Sequence, residues 1–384
     1  MRAEAVLPLR FAPHSGRTGL VAIGKAGADM ARVALERMDA APDFALAVTP
    51  GGHAGRSLPD KLEVVTAAHP HPDARSLAAG RRALELAGTL CPGDRLIALV
   101  SGGGSALLCA LGPDLTLADK RDAVARLHKA GAAISDINAA RIALSAVKGG
   151  RLGAAAGGAR VETFIISDVP GDDPALVASG PTVPSDLARA GRDVLRRYGV
   201  LLPNPVQNEP LPDFPSETHV VATADTALRT AAARLARAGY RVRNLGGALE
   251  GDAAALGRHH ARLALDAPPG SAILSGGETT VTLPEQPGRG GRNTTYLLSL
   301  AIALDSAPGI HALAADTDGI DGSEPVAGAV AGPGSLLRMR AAGVDPHEAL
   351  ARADPYTAFK ASGDLLVTGP TLTNVNDLRV ILVD

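Results

Sequence analysis

Short apolar runs alternate with amphipathic stretches along most of the chain. The runs at 20–23, 44–48, 62–66, 95–100 and 161–166 have the length and near-continuous apolar character of strands buried on both faces. Helical periodicity follows at 28–38, 74–88, 117–133 and 138–147, with Asp73 placed to cap the second of these stretches. The alternation resumes with strand patterns at 219–222, 240–245, 271–274, 310–315 and 379–383, and helical patterns at 225–238, 252–264 and 294–304. Such β/α alternation in both halves predicts an α/β protein with mostly parallel sheets. From 185 to about 216 the pattern weakens and Pro203, Pro205, Pro210, Pro212 and Pro215 accumulate. A domain boundary is therefore expected near 200–216, giving an N-terminal domain over 1–210 and a C-terminal one over 211–384.

Composition narrows the function classes. The 384 residues are 46% hydrophobic but only 2% aromatic, without tryptophan, so the cores are built from Ala, Val, Leu and Ile. Formal net charge is −2, which supplies no field to recruit nucleic acid or an anionic membrane. Sparse aromatics also leave no surface for stacking bases. Cys91 and Cys109 have neither metal-ligand spacing nor the numbers for a disulfide framework. No stretch approaches the ~18 uninterrupted apolar residues of a membrane span. The first residues lack a signal-peptide pattern, and a cytoplasmic protein acting on small molecules is the expectation, as a monomer or homodimer.

Glycine-rich turns sit where the strand patterns end. Gly24-Lys25-Ala26-Gly27 closes the first run ahead of a helix, yet it is neither a dinucleotide fingerprint nor a Walker A loop. Lys25 is either a solvated charge or a clamp on phosphate oxygens at a helix start. Ser101-Gly102-Gly103-Gly104-Ser105 offers successive amides and two hydroxyls to an anion. It is no nucleophile elbow, because Leu99 stands where that motif needs glycine. His69 and His71 are either paired metal ligands or part of a rigid proline turn. Arg141, Lys148 and Arg151 form either a solvated face or the lining of a cleft for an anion. Asp168 leaves the end of the 161–166 strand, the edge where α/β sheets bind ligands.

The densest chemistry lies in 275–322. Ser275-Gly276-Gly277-Glu278 ends one strand, Arg289 and Arg292 flank Gly290-Gly291 before a helix, and Asp316, Asp318 and Asp321 follow another strand. Amides, guanidinium groups and clustered carboxylates suit a metal-bound phosphoryl group. The aspartate loop departs from an EF-hand, with Ile320 and Ala327 at ligand positions.

These segments, together with Lys148-Gly149-Gly150-Arg151, Ala178-Ser179-Gly180-Pro181-Thr182 and Thr368-Gly369-Pro370-Thr371-Leu372-Thr373-Asn374-Val375, resemble the class II glycerate 2-kinases, whose C-terminal part is the MOFRL domain. The likeness runs from about residue 20 to the end. It implies ATP-dependent phosphorylation of D-glycerate to 2-phospho-D-glycerate with Mg²⁺ or another divalent cation. It further implies a larger Rossmann-like N-terminal domain, a smaller α/β C-terminal domain, and an active site in the cleft between them. The family's catalytic lysine and arginine fall on Lys25 and Arg292. One departure is Arg141-Ile142-Ala143-Leu144-Ser145, where members commonly read Arg-Lys-His-Leu-Ser.

Phosphoryl transfer needs positioning and charge neutralisation more than covalent chemistry. The expected assignment gives nucleotide and substrate binding to Gly24, Ser101, Gly102, Gly103, Gly104, Ser105, Lys148, Glu278 and Asn293. Asp316, Asp318 and Asp321 are expected to hold Mg²⁺, and Asp168 to orient the attacking hydroxyl or take its proton. Lys25 and Arg292 are expected to converge from opposite domains on one phosphoryl group. Two competing readings are an NAD(P)-dependent hydroxypyruvate reductase, a label carried in this family, and a non-catalytic sugar-acid-binding protein. The missing dinucleotide fingerprint argues against the first, and the aspartate cluster against the second.

Overall fold

A computed structural model describes residues 2–55, 57–112, 114–200 and 211–384. The chain divides into two compact units, Met1–Val221 and Ala222–Asp384. Much of the interval where a boundary is expected, 201–210, lies outside the described residues.

The first unit carries strands β1 (Thr18–Ile23), β2 (Phe44–Pro50), β3 (Glu63–Ala67), β4 (Arg95–Ser101), β5 (Arg160–Ile166) and β6 (Ser216–Ala222). Their order is β3-β2-β1-β4-β5-β6, and β1 to β5 pair in parallel. Every residue of β1 and β4 is buried, as befits the centre of a doubly wound sheet. The strand order reverses between β1 and β4, the topological switch point at which such sheets bind ligands. The strand pattern expected to open the second domain is instead β6, at the edge of this first sheet, and four of its seven residues are exposed. Asp73 caps the helix Ala74–Ala87 as expected, accepting from Arg75 N and Ser76 N while Ser76 Oγ returns the bond.

The second unit has its own sheet of β7 (Arg241–Asn244), β8 (Ser271–Gly277), β9 (Ile310–Asp316), β10 (Gly328–Ala331), β11 (Leu365–Leu366) and β12 (Asp377–Val383), ordered β11-β10-β9-β12-β8-β7. The expectation of a mostly parallel sheet fails here. β7 and β8 are parallel, whereas β12 runs antiparallel to both β8 and β9, and β10 antiparallel to β9 and β11. Apolar periodicity records which residues are buried and is blind to strand direction. Here the last strand returns between two earlier ones and reverses the pairing. Its consequence is local: the C-terminal ends of β8 and β9 flank the N-terminal end of β12, with Asp377 opposite both Gly277 and Asp316. Among the described residues, no helix is long and apolar enough to cross a membrane.

Helix Ala253–Leu265 packs on helix Arg292–Leu304 at closest approach through Gly257. A Cβ there would lie 2.4 Å from the Tyr296 carbonyl oxygen and 3.0 Å from Leu300 N. Helix propensity alone favours alanine over glycine by ~1 kcal/mol, but the obstacle is backbone and cannot rotate away. Gly257→Ala is expected to destabilise by roughly 1–3 kcal/mol through overpacking, read as a lowered urea midpoint; a raised midpoint would refute this packing.

The same interface buries His260, whose Nδ1 lies 2.8 Å from the Tyr296 hydroxyl. Burial first, then the charges of Arg379 and His259, lowers the imidazole from 6.5 to about 4. The ring is therefore neutral in the fold, while the unfolded chain takes up a proton near pH 6.5. Its contribution is complete above pH 6.5 and disappears as pH falls towards 4, by about 3 kcal/mol in all. Urea titrations across that window should show a steeper loss in the wild type than in His260→Gln; equal slopes would refute it.

Candidate active site

The two glycine loops at the switch point are bound to each other. Lys25 N donates to Gly102 O at 2.9 Å. Ser101 Oγ accepts from Ala26 N at 3.1 Å and donates to Ile23 O at 3.2 Å. Gly24 N reaches Val48 O, and Gly27 N returns to Gly24 O, both at 3.0 Å. All four amides of 24–27 are thus engaged internally, so Gly24, expected to bind nucleotide or substrate, offers no free amide. The Ser101 hydroxyl, expected at a ligand, is occupied in joining the loops. Gly24 has φ of +115°, and a Cβ there would strike Ser101 Oγ at 2.3 Å and Ser101 O at 2.4 Å. Lys25 is half-buried beside Gly103. Gly103 takes a left-handed conformation at the start of the short helix Gly104–Leu107, and half-buried Asp168 follows β5. The loops carrying Lys25, Gly102–Gly104 and Asp168 therefore leave the same edge of the parallel sheet.

Lys148 is buried, and its ammonium donates to both the carbonyl and the hydroxyl of Ser105, the latter at 2.6 Å. Ser105 Oγ also lies 2.9 Å from Ser179 Oγ. Ala178 and Ser179 both have positive φ, 52° and 64°, strained conformations for side-chain-bearing residues. They are held by Gly149 N and Gly150 N, which donate to Ser179 O and Gly180 O. Lys148 and Ser105, expected at the ligand, thus brace one another across the loop after β4. Ser105 also lines a cavity of about 790 Å³, with His69, Gly103, Lys120, His128 and Arg141. Of the departure from the family's Arg-Lys-His-Leu-Ser, Ile142 and Ala143 are buried, while Arg141 faces the cavity. The solvated-face reading of 141–151 fails, since Lys148 is buried and Arg141 and Arg151 are half-buried.

The second unit gathers charge where β8, β9 and β12 meet. Arg292 opens helix Arg292–Leu304 and is bonded to three carboxylates: Asp316 at 2.7 Å, Asp377 at 2.9 Å and Glu278 at 3.0 Å. Against the cost of burial, Asp377 and then Asp316 and Glu278 raise the guanidinium above its ordinary value. Asp377 also accepts from Asn293 Nδ2 at 2.7 Å and Arg379 Nη2 at 2.5 Å. Burial, then repulsion from Asp318, pushes the Asp316 carboxyl well above the usual carboxylate range, with Arg292 pulling the other way. Asp377 and Arg379 escaped the motif reading. Their signal was a polar Asn374-Val375-Asn376-Asp377 run directly against a strand. Arg289, by contrast, is committed to Glu324 at 2.6 Å and stacks over the Tyr356 ring.

The expected metal trio is not assembled. Asp321 is buried with both oxygens turned onto the start of helix Arg292–Leu304: Oδ1 accepts from Asn293 N at 2.9 Å, and Oδ2 from Thr294 N and Oγ at 2.9 and 2.7 Å. A carboxylate at a helix N-terminus satisfies orphan amides and the helix dipole. Asp316 is paired with Arg292, and Asp318 accepts from Ile320 N at 2.8 Å. Among the described residues no group of three or more His, Cys, Asp or Glu is arranged to hold a metal ion. Asp321→Ala is accordingly expected to cost about 2–3 kcal/mol by leaving buried donors unpaired. Thermal unfolding at several Mg²⁺ concentrations tests it: an equal loss at every concentration fits a cap, and a loss seen only with Mg²⁺ restores the metal ligand.

Comparison with known proteins accounts for both units. Residues 4–209 match the Domain of unknown function (DUF4147) family, and residues 271–377 the MOFRL family. A protein named D-glycerate 2-kinase from Thermotoga maritima is 35% identical over 99% of this chain and 95% of its own. A protein from Agrobacterium vitis, provisionally named hydroxypyruvate reductase, is 48% identical over 96% of this chain and 87% of its own. A crystal structure of glycerate kinase from Thermotoga maritima superposes with a TM-score of 0.87 at 34% identity, covering 96% of this chain and 92% of that one. With the doubly wound sheet, the MOFRL unit and nearly the full length held in common, the chain belongs to the glycerate 2-kinase family.

Proposed function

We propose that the protein transfers the γ-phosphoryl group of ATP to the 2-hydroxyl of D-glycerate, giving 2-phospho-D-glycerate and ADP. The observation that carries this reading is the end-to-end likeness to a protein named D-glycerate 2-kinase. The nucleotide phosphates are assigned to the turn Gly102–Gly104 at the switch point, with Lys25 neutralising charge as the phosphoryl group leaves. Asp168 orients the 2-hydroxyl and takes its proton as the new O–P bond forms and the bond to ADP breaks. Arg292 stabilises the transferring group through its Nη1 arm. Its partner there, Glu278, is exposed, so a phosphoryl oxygen can displace it while Asp316 and Asp377 keep the guanidinium aimed. Among the described residues there is no three-residue metal cage, and a divalent cation would enter as part of the metal–nucleotide substrate.

A hydroxypyruvate reductase is the second reading, favoured by the name of the Agrobacterium vitis relative. The turn after β1 has only Gly24 and Gly27 of a dinucleotide fingerprint. Phosphorus NMR of the product from ATP and D-glycerate, beside NADH oxidation with hydroxypyruvate, separates the two; NADH consumption without ADP release would overturn the kinase.

Lys25→Ala should lower kcat roughly 10²- to 10³-fold, the scale of losing one preorganised donor, with KM changed much less. Arg292→Lys keeps a charge for Asp377 and Asp316 but loses the fork, so it should lower turnover per folded molecule as well as stability, the folded fraction being checked by circular dichroism. Near-normal turnover in either variant would remove that residue from the phosphoryl group.

A further inference from the structure

Lys120 and Arg141 line the cavity beside Ser105, and Lys148 is buried against that serine; the reaction as assigned above uses none of the three. Lys120 projects from helix Leu117–Lys129 and is only 6% exposed, and its Nζ donates to the Cys109 thiol at 3.4 Å. Arg141, on helix Ile134–Ala143, makes one long bond to Asn138 Oδ1 at 3.4 Å. Lys148, beneath Ser105, is 1% exposed and bonded to that neutral serine. Among the described residues, none of the three forms an ion pair with a carboxylate. Burying an ammonium against a thiol or a hydroxyl is costly, because no opposite charge replaces the lost water. A fold that meant only to fill this space would use leucine or methionine.

We propose that this cavity is the subsite for the carboxylate of a small 2-hydroxy acid, held by Lys120 and Arg141 over Lys148. The inference rests on the glycerate reading and assigns the acidic end of that substrate. Physical support comes from each cation. Burial, together with repulsion from Lys120 and Arg141, holds Lys148 well below the usual lysine range, and burial likewise lowers Arg141. An entering anion relieves both penalties, whereas a neutral ligand relieves neither. Lys120, Val124 and His128 lie four residues apart on one helical face toward the cavity. One face thus offers the charge at one end and an apolar step beside it, which suits a ligand of a few carbon atoms. A phosphate of the nucleotide is the other anion available, and the test separates the two.

The experiment uses the full chain with Lys120→Met and Arg141→Gln. Isothermal titration with D-glycerate, without nucleotide, should show Kd weakened roughly 10- to 100-fold in each variant, the scale of a charge-assisted bond. KM for D-glycerate should rise similarly while KM for ATP stays within about two-fold. Glycerol, which lacks the carboxylate, should bind neither wild type nor variant. The unliganded Lys120→Met protein should melt no lower than the wild type, since an unpaired buried charge has been removed. D-Glycerate should then raise its Tm less than it raises that of the wild type. A purely structural lysine predicts the reverse, a lowered Tm and an unchanged Kd, and would overturn the proposal. If KM for ATP rises instead, the cavity holds nucleotide phosphate and the carboxylate assignment falls. If D-glycerate binds the wild type and is lost in the variants, yet no ADP is released, the subsite stands and the kinase reading fails.

Discussion

The second unit depends on one buried carboxylate, Asp377. Because β12 enters antiparallel between β8 and β9, its first residue lies against the ends of both neighbours. A charge so placed is stable only if it is paired and fully bonded. Arg292, Asn293 and Arg379 supply those bonds. Arg379 in turn donates to Gly276 O and lies over the Tyr296 ring, 5.2 Å from its centroid. Asp377 thus sits between two arginines, Arg292 reaching the end of β9 through Asp316 from the start of a helix and Arg379 reaching the end of β8 through Gly276. Asp321 completes the arrangement by closing the helix terminus from below. The arginine that the family resemblance marks as catalytic owes its direction to this framework.

Much of the fold was legible because burial on both faces leaves a plain signature. The runs at 20–23, 95–100 and 161–166 could hardly be anything but central strands, and β1, β4 and β5 correspond to them. Glycines marked the strand ends correctly for the same reason, since a chain turning into a helix against a neighbouring loop has no room for a Cβ. What remained hidden was relational. The polar-exposed β6 gives no clue to which sheet it joins, and β12 carries no mark of direction. Side-chain partners stayed illegible wherever a polar group had two possible ones. Asp321 is as good a metal ligand as a helix cap by type, and Ser101 as good a phosphate donor as a loop tie. Only the position of helix Arg292–Leu304 decides the first, and only the adjacency of β1 and β4 the second. Lys120 lay in an ordinary amphipathic stretch, where a lysine reads as solvent-facing until its helix is seen packed.

The two units handle charge in opposite ways. In the second, Arg292 is already bonded to Asp316, Asp377 and Glu278, so its guanidinium is aimed before any ligand arrives. In the first, cations stand against neutral sulfur and oxygen, and their electrostatic energy improves only when an anion enters. Matched networks favour aim, and unmatched cations favour capture. A phosphotransferase with a small acidic acceptor needs both, because the acceptor has little surface with which to bind and the transferred group must be met at a fixed angle.

The contact between Gly24 and Ser101 has an evolutionary side. Shortening the serine would remove its hydroxyl, but the carbonyl oxygen and carbon of residue 101 still lie 2.4 and 2.7 Å from any Cβ at position 24. No exchange at 101 makes room, because the obstruction belongs to the main chain that every residue shares. Pairs of positions that meet through side chains can drift together by compensating changes. This pair cannot, so position 24 should stay glycine through any amount of divergence that preserves the sheet, while position 101 is free to vary at the cost of the tie between the loops.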